Sequence, residues 1–274
     1  MTVSGGIKFF YENFGDINND SAYAVVDTGS DTRNNARSRK RYLKWSSVGS
    51  DDLTTETYTL HFGETKTIDR ILLVRNNFKA FTVKYDNAGW THFASVVTKE
   101  GSQANITEAA NTKTTNYYEF TPVSTTKIQV SVDTTQVVDA EKEMHQLIAT
   151  AELGTFTGYP QYSHTFVQNA ARKKTFEGNI NKSILGESYQ CSLGFQRYGL
   201  AADHTIVQAL WDLEASFLIY PCGANEDQFR YTTKQGNRLR DIYLVSFAGN
   251  FSPDYDSNVY DNGLNYTLNL VESA

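Results

Sequence analysis

Oxygen-bearing side chains at alternate positions suit a hard cation, and the chain has two such stretches. Asp16, Asn18 and Asp20 form one; Asp254, Asp256 and Asn258 form the other. Neither has the glycine at position six that a helix–loop–helix calcium loop requires. Asn and Asp side chains also stabilise ordinary turns by bonding to nearby backbone N–H groups. Both Asp16, Asn18 and Asp20 and their C-terminal counterpart are calcium candidates, each set against a plain turn. Carboxylates occur in pairs at Asp51 and Asp52 and at Glu141 and Glu143. Two carboxyl groups can cleave a glycosidic bond only when they face each other across a cleft. Both pairs lie in polar sequence and read as solvated charge. The five histidines, His61, His92, His145, His164 and His204, have no ligand spacing. Pro221-Cys222 lacks the second cysteine that zinc deaminase chemistry needs. There is no phosphate loop, no G-x-G-x-x-G, no G-x-S-x-G and no H-E-x-x-H. The expectation is a protein with no catalytic residue and no enzymatic activity.

One charge cluster stands out: Arg33, Arg37, Arg39, Lys40 and Arg41, basic within a chain of net charge −6. Arg37, Arg39, Lys40 and Arg41 read as a docking loop for an acidic neighbour, phosphate or an anionic glycan, or as a solvated loop. No aromatic residues interleave with the cluster, and the chain is acidic, so nucleic acid is not an expected partner. The two cysteines, Cys191 and Cys222, form no C-x-x-C pair. Two free thiols in or near a core is the simpler reading, with a disulfide as the alternative. The start MTVSGGIKFF lacks the basic and apolar regions of a signal peptide, and no apolar run reaches membrane-spanning length. Synthesis in a cytoplasm without membrane insertion is expected.

The elements that must position these residues are mostly strands. Seventeen Tyr and sixteen Phe among 274 residues favour them. In TYTLHF, Tyr58, Leu60 and Phe62 share one face and Thr57, Thr59 and His61 the other. A tight turn at Phe62-Gly63 is expected to lead into a second strand, IDRILLV, whose dense apolar run suits a deeper position. Phe78–Tyr85 alternates, Asp86-Asn87-Ala88-Gly89 is a turn, and Trp90 and Phe93 open the next strand. Residues 126–132 and the run LIATAEL, ending at Leu153, complete this block. Trp45, just before the first long strand, is expected in the core. A boundary is expected at 154–160, where Gly154, Gly158 and Pro160 cluster. Beyond it the strands resume around one helix near 204–214, with Ile206, Leu210 and Leu213 (and Val207 and Trp211) as its apolar stripe and Asp203 as N-cap.

This order over residues 20–154 resembles the discoidin-like, galactose-binding-like β-sandwiches. The order over 155–274 (KKTFEGNI, a strand, a helix, FLIYP, RDIYLV, a closing strand) is similar to the β-barrels of bacteriophage tail proteins, the tube and distal-tail families. The fold class expected is mainly β: a sandwich over 1–154 and a tail-protein-like barrel with one helix over 155–274. The first resemblance implies a binding module, with calcium often held near the N-terminal loops, and it carries no ligand residue over to this chain. The second implies a structural component of a phage tail or baseplate. Such a protein would assemble into a homo-oligomeric ring, contact other tail proteins and reside in the virion. The alternative is a carbohydrate-binding module for host glycan, with a sandwich loop stacking sugar on an aromatic such as Trp90.

Overall fold

The computed structural model describes residues 7–27, 31–38, 43–49, 51–98, 101–156, 161–174, 180–198, 201–220, 242–249, 254–255 and 264–272. The chain is mainly β and divides into two compact units. The first takes in the described residues of Phe10–Glu152; the second gathers those of 6–9, 153–222 and 231–274. The strands are β1 (Lys8–Phe10), β2 (Tyr23–Val26), β3 (Trp45–Ser46), β4 (Glu56–Asn76), β5 (Phe78–Asp86), β6 (Trp90–His92), β7 (Val96–Thr98), β8 (Gly101–Gln103) and β9 (Thr107–Glu108). They continue as β10 (Asn116–Thr135), β11 (Glu143–Thr150), β12 (Glu152–Thr155), β13 (Gln161–Lys174) and β14 (Ile180–Tyr198). After helix α1 (Ala201–Asp212) come β15 (Phe217–Tyr220), β16 (Tyr243–Phe247), β17 (Asp254–Tyr255) and β18 (Leu264–Glu272).

A ten-stranded antiparallel sheet makes the first unit, in the order β3-β11-β4-β10-β5-β6. Off this path β2 pairs with β4, β7 with β10 and β8, and β9 with β5. The expected turn at Phe62-Gly63 is instead a bend inside one long strand. β10 pairs with β4 on both sides of it, from Val132↔Glu56 to Lys127↔His61 and from Thr125↔Lys66 to Asn116↔Leu73. A true turn would have reversed the chain and changed its partner. The register shifts between Glu119 and Val123 and between Thr125 and Lys127, so the ladder is interrupted on either side of Thr125, around this bend. Gly63 sits at φ +80°, and a Cβ there would lie 2.5 Å from Ser21, so glycine is required. The first half of β4 therefore lies with β2, β10, β5 and β6, and the second half with β11, β3 and the start of β10.

One core fills the space between the two halves. Tyr58, Leu60, Phe62, Ile128, Val130 and Val132 come from one side; Ile71, Leu73, Tyr118, Leu147 and Ala149 from the other. The predicted alternation in TYTLHF, and the same alternation along the expected strand 126–132, deliver these residues inward. Trp45 is fully buried, its ring edge-on to Tyr58 at 5.3 Å and to Phe78 at 6.3 Å.

The second unit is an eight-stranded sheet, β12-β1-β15-β16-β18-β14-β13, with β17 on β18. β1 precedes the sandwich in sequence yet lies between β12 and β15. Phe9 brings its ring against Phe156 at 4.7 Å and Phe217 at 6.0 Å. The expected closing strand LIATAEL breaks at Ala151: β11 ends in the first sheet and β12 starts in the second. Gly154 lies in β12 beside α1, where a Cβ would meet Ile206 at 2.6 Å, so close packing explains this glycine better than a linker does. α1 begins earlier than expected, with Asp203 buried inside its first turn and Val207 and Leu210 inward as the stripe predicts. Among the described residues no pairing joins β13 to β12, so the expected closed barrel is not shown. Sequence order names the strands, but closure depends on register between distant ones. Cys191 is buried and free, and its burial pushes the thiol pKa up to about 11; Cys222 lies outside the described residues. No helix among the described residues is long and apolar enough to cross a membrane.

Candidate ligand-binding face

The residues singled out by sequence do not converge. Asp16 turns its Oδ1 to the N–H of Asn18 at 2.8 Å, a local turn, while Asn18 and Asp20 are exposed. Arg37, expected in a docking loop, is instead buried at the end of a short 3-10 helix, Arg33–Arg37. Its Nε donates to the Gly15 carbonyl at 2.9 Å, and its Nη2 to the carbonyls of Asp16 at 3.0 Å and Asn19 at 3.2 Å. Three carbonyls of this loop, those of Gly15, Asp16 and Asn19, are thus held by one guanidinium. Arg39, Lys40, Arg41, Asp256 and Asn258 lie outside the described residues.

The paired carboxylates hold loops. Asp52 Oδ1 accepts the Thr135 N–H at 2.9 Å and its hydroxyl at 3.2 Å. These bonds, the backbone one foremost, lower the Asp52 pKa. Asp51 Oδ1 accepts the Leu53 N–H at 3.0 Å. The Ser46 hydroxyl lies between Glu141 at 3.0 Å and Glu143 at 3.3 Å, and Lys44 pairs with Glu143. Buried Lys142 donates to the carbonyls of Asp51 at 2.7 Å and Thr54 at 2.8 Å. No group of three or more His, Cys, Asp or Glu among the described residues is arranged to hold a metal.

What the fold does bring together is a row of outward side chains across five strands. β2 places Tyr23 opposite His61 of β4. His61 is opposite Lys127 of β10. Lys127 reaches Asp86 of β5 at 3.2 Å, and Asp86 is opposite Trp90 of β6. Strand spacing of about 4.8 Å puts the two aromatic ends roughly 19 Å apart. Tyr23 stacks on His61 at 4.2 Å and 12° and is 50% exposed. Trp90 is 40% exposed, with the Lys127 ammonium 5.4 Å from its ring centre. A second row runs alongside: Val25, Thr59, Gln129, Lys84 and His92, each opposite the next. Gln129 donates to the Thr59 hydroxyl at 3.3 Å. The edge residues are exposed and the middle ones half-buried or buried.

The alternation that buries Tyr58, Leu60 and Phe62 is what turns Thr59 and His61 outward. Burial, then the nearby Lys127 charge, lowers the His61 pKa, against a smaller opposing pull from Asp86. Aromatic faces at both ends, with amide, hydroxyl and charged groups between, can stack apolar faces of a ligand and bond to its hydroxyls. Of this set, sequence reading singled out only Trp90 as a ligand contact, at the opening of a strand, and it stands at the start of β6. An exposed Tyr or Trp at an outward strand position was the available signal for Tyr23. The partnership with His61 and Lys127 exists only through pairing.

No family model and no curated protein matches the chain. Solved structures do resemble it over about half its length. A chitosan-binding module of a chitosanase/glucanase from Paenibacillus sp. IK-5 is 10% identical, covering 52% of this chain and 99% of that one, with a TM-score of 0.42. The family 32 carbohydrate-binding module of Clostridium perfringens NanJ, solved with galactose, is 15% identical over 53% of this chain and 98% of that one, TM-score 0.38. Another C. perfringens family 32 module, solved with GalNAc-β-1,3-galactose, is 10% identical over 48% of this chain and 96% of that one, TM-score 0.38. Nothing among these points to a phage tail protein. The likeness is one of outline, and no residue of these modules is carried to this chain.

Proposed function

We propose that the first unit is a carbohydrate-binding module whose ligand lies across the five-stranded face, between Tyr23 and Trp90. The row Tyr23–His61–Lys127–Asp86–Trp90 carries this reading: two exposed aromatic platforms flank polar groups on a rigid sheet. Exposed aromatics set among fixed polar groups mark binding surfaces more often than scattered surface residues do. Asp86 is the one carboxylate in the two rows, so the face has no facing acid–base pair and is proposed to bind without turnover. Galactosides and chitosan oligomers are the first ligands to screen by calorimetry. Trp90→Ala and Tyr23→Ala are each expected to weaken saccharide binding about tenfold or more, with the melting temperature little changed. Saccharide affinity untouched by both substitutions would move the site elsewhere.

Self-assembly through the second unit is a second reading, favoured by one observation. β13 and β14 pair with each other from Gln161↔Gly194 to Lys174↔Ile180, whereas β18 pairs with β14 only from Gln190 onward. Among the described residues, the stretch from Val167↔Ser188 to Lys174↔Ile180 is therefore a two-stranded ribbon. Such ribbons are marginal alone, and their open edges invite another strand. A second copy of the chain, closing a ring, is the proposed cover. Mass measured in solution over a range of concentrations tests it: multiples of the chain mass are expected, lost when the ribbon is shortened. A monomer throughout would overturn it.

A further inference from the structure

We infer that the ligand of the five-stranded face carries a carboxylate, held by Lys84; this rests on the carbohydrate-binding reading above. The two lysines of the face differ. Lys127 is engaged, 3.2 Å from the Asp86 carboxylate and 5.4 Å from the centre of the Trp90 ring. Lys84 stands in the second row between Gln129 and His92, half-buried. Among the described residues its ammonium has no acceptor: no hydrogen bond or ion pair engages it. Asp86, two residues along the same strand and on the same face, is taken by Lys127 and by the Gly89 N–H at 3.3 Å.

A half-buried ammonium without a partner has lost water and gained nothing in exchange. A neutral sugar offers it only hydroxyl oxygens. A carboxylate offers a charge-assisted bond about twice as strong as a neutral one. The surroundings favour an anion as well. The two rows carry Lys84 and Lys127 against Asp86 alone, a positive patch on a chain of net charge −6. Trp90, directly across from Asp86, and His92, directly across from Lys84, place a stacking surface beside the ammonium. The chemistry that fits is an acidic saccharide: a uronate, or a sialic acid with its ring carboxylate.

The test compares matched saccharides on the intact chain. Trigalacturonate and sialyllactose are titrated beside neutral galactotriose and lactose, at low and high salt, with wild type and Lys84→Gln. A charge-assisted bond worth one to two powers of ten predicts that the acidic ligand of the preferred class binds about tenfold tighter or more than its neutral counterpart. That advantage should shrink in high salt. Lys84→Gln is expected to erase it, lowering the affinity for the acidic saccharide about tenfold or more toward that of its neutral counterpart, with the melting temperature unchanged. Equal affinity for acidic and neutral saccharides, unaffected by Lys84→Gln, would overturn this inference and leave the module reading standing. Absence of binding to any saccharide would remove both.

Discussion

The two outward faces of the sandwich differ in how they treat charge. On the Tyr23–Trp90 face, side chains stand in solvent and one lysine lacks a partner. On the far layer, Arg70 is almost enclosed, with 12% of its side chain exposed. It donates to the Tyr117 hydroxyl at 3.1 Å and pairs with Glu152, with Asp69 at 3.5 Å and Glu119 at 3.8 Å nearby. Leu72 and Ile148, opposite one another, are fully buried there, and the Phe10 ring lies 6.2 Å from that of Tyr117. The dense apolar run IDRILLV announces this, since a strand buried on both faces loses its alternation. Charge in such a setting must be matched, and Arg70 is. Charge on the open face need not be matched by the protein itself. The difference teaches that incomplete pairing, rather than the presence of charge, separates a surface available to a ligand from one that serves the fold.

Four substitutions test that contrast, beginning between the faces. Trp45→Ala empties the largest fully buried side chain of the core and is expected to cost about 3–5 kcal/mol in urea unfolding. A loss below about 1 kcal/mol would mean that the two layers do not depend on it. Next, Arg70→Met leaves Asp69, Glu119 and Glu152 without their common cation. A loss of about 2–3 kcal/mol is expected, below the usual cost of a broken buried pair because each group keeps some water. Saccharide affinity on the opposite face should not move; if it does, the faces are not independent.

Arg37→Ala removes the guanidinium from three backbone carbonyls of the 15–19 loop, of which that of Asp16 keeps the Asn19 N–H at 3.0 Å. A loss of about 2 kcal/mol is expected. Because the guanidinium holds those carbonyls, adding calcium or a chelator should leave wild-type melting unchanged. A rise in melting temperature with calcium would restore Asp16, Asn18 and Asp20 as a metal site.

The smallest effect concerns His61, faced by Tyr23 on β2, Lys127 on β10 and Asp86 on β5. Its folded pKa is lowered from 6.5. As pH falls below 6.5 the unfolded chain takes up this proton first, so the stability present above 6.5 declines until the folded pKa is passed. His61→Gln should flatten that part of the melting profile. An unchanged acid slope would show that His61 is not the group responsible.

Part of this molecule was legible in the chain. The inward sets Tyr58–Leu60–Phe62 and Ile128–Val130–Val132, the burial of Trp45 and the helical stripe of Val207 and Leu210 all follow from period, because side-chain direction alternates locally. The Phe62-Gly63 turn was misread because a glycine at positive φ permits a reversal or a bend, and the choice belongs to the partner strand. Arg37 was misread for a related reason. A basic run in a polar loop gives no sign that three carbonyls will close around one of its members.

The candidate site divides along the same line. Sequence alone determines that Tyr23, His61, Lys84, Lys127 and Trp90 occupy outward or flanking positions on strands, since each alternates with apolar neighbours or adjoins a turn. Only the tertiary structure decides that they stand side by side. Register between strands far apart in the chain is set by the bent β4–β10 pair, its register shifts and the core beneath, and a slip of one residue would turn any one of these side chains to the other face.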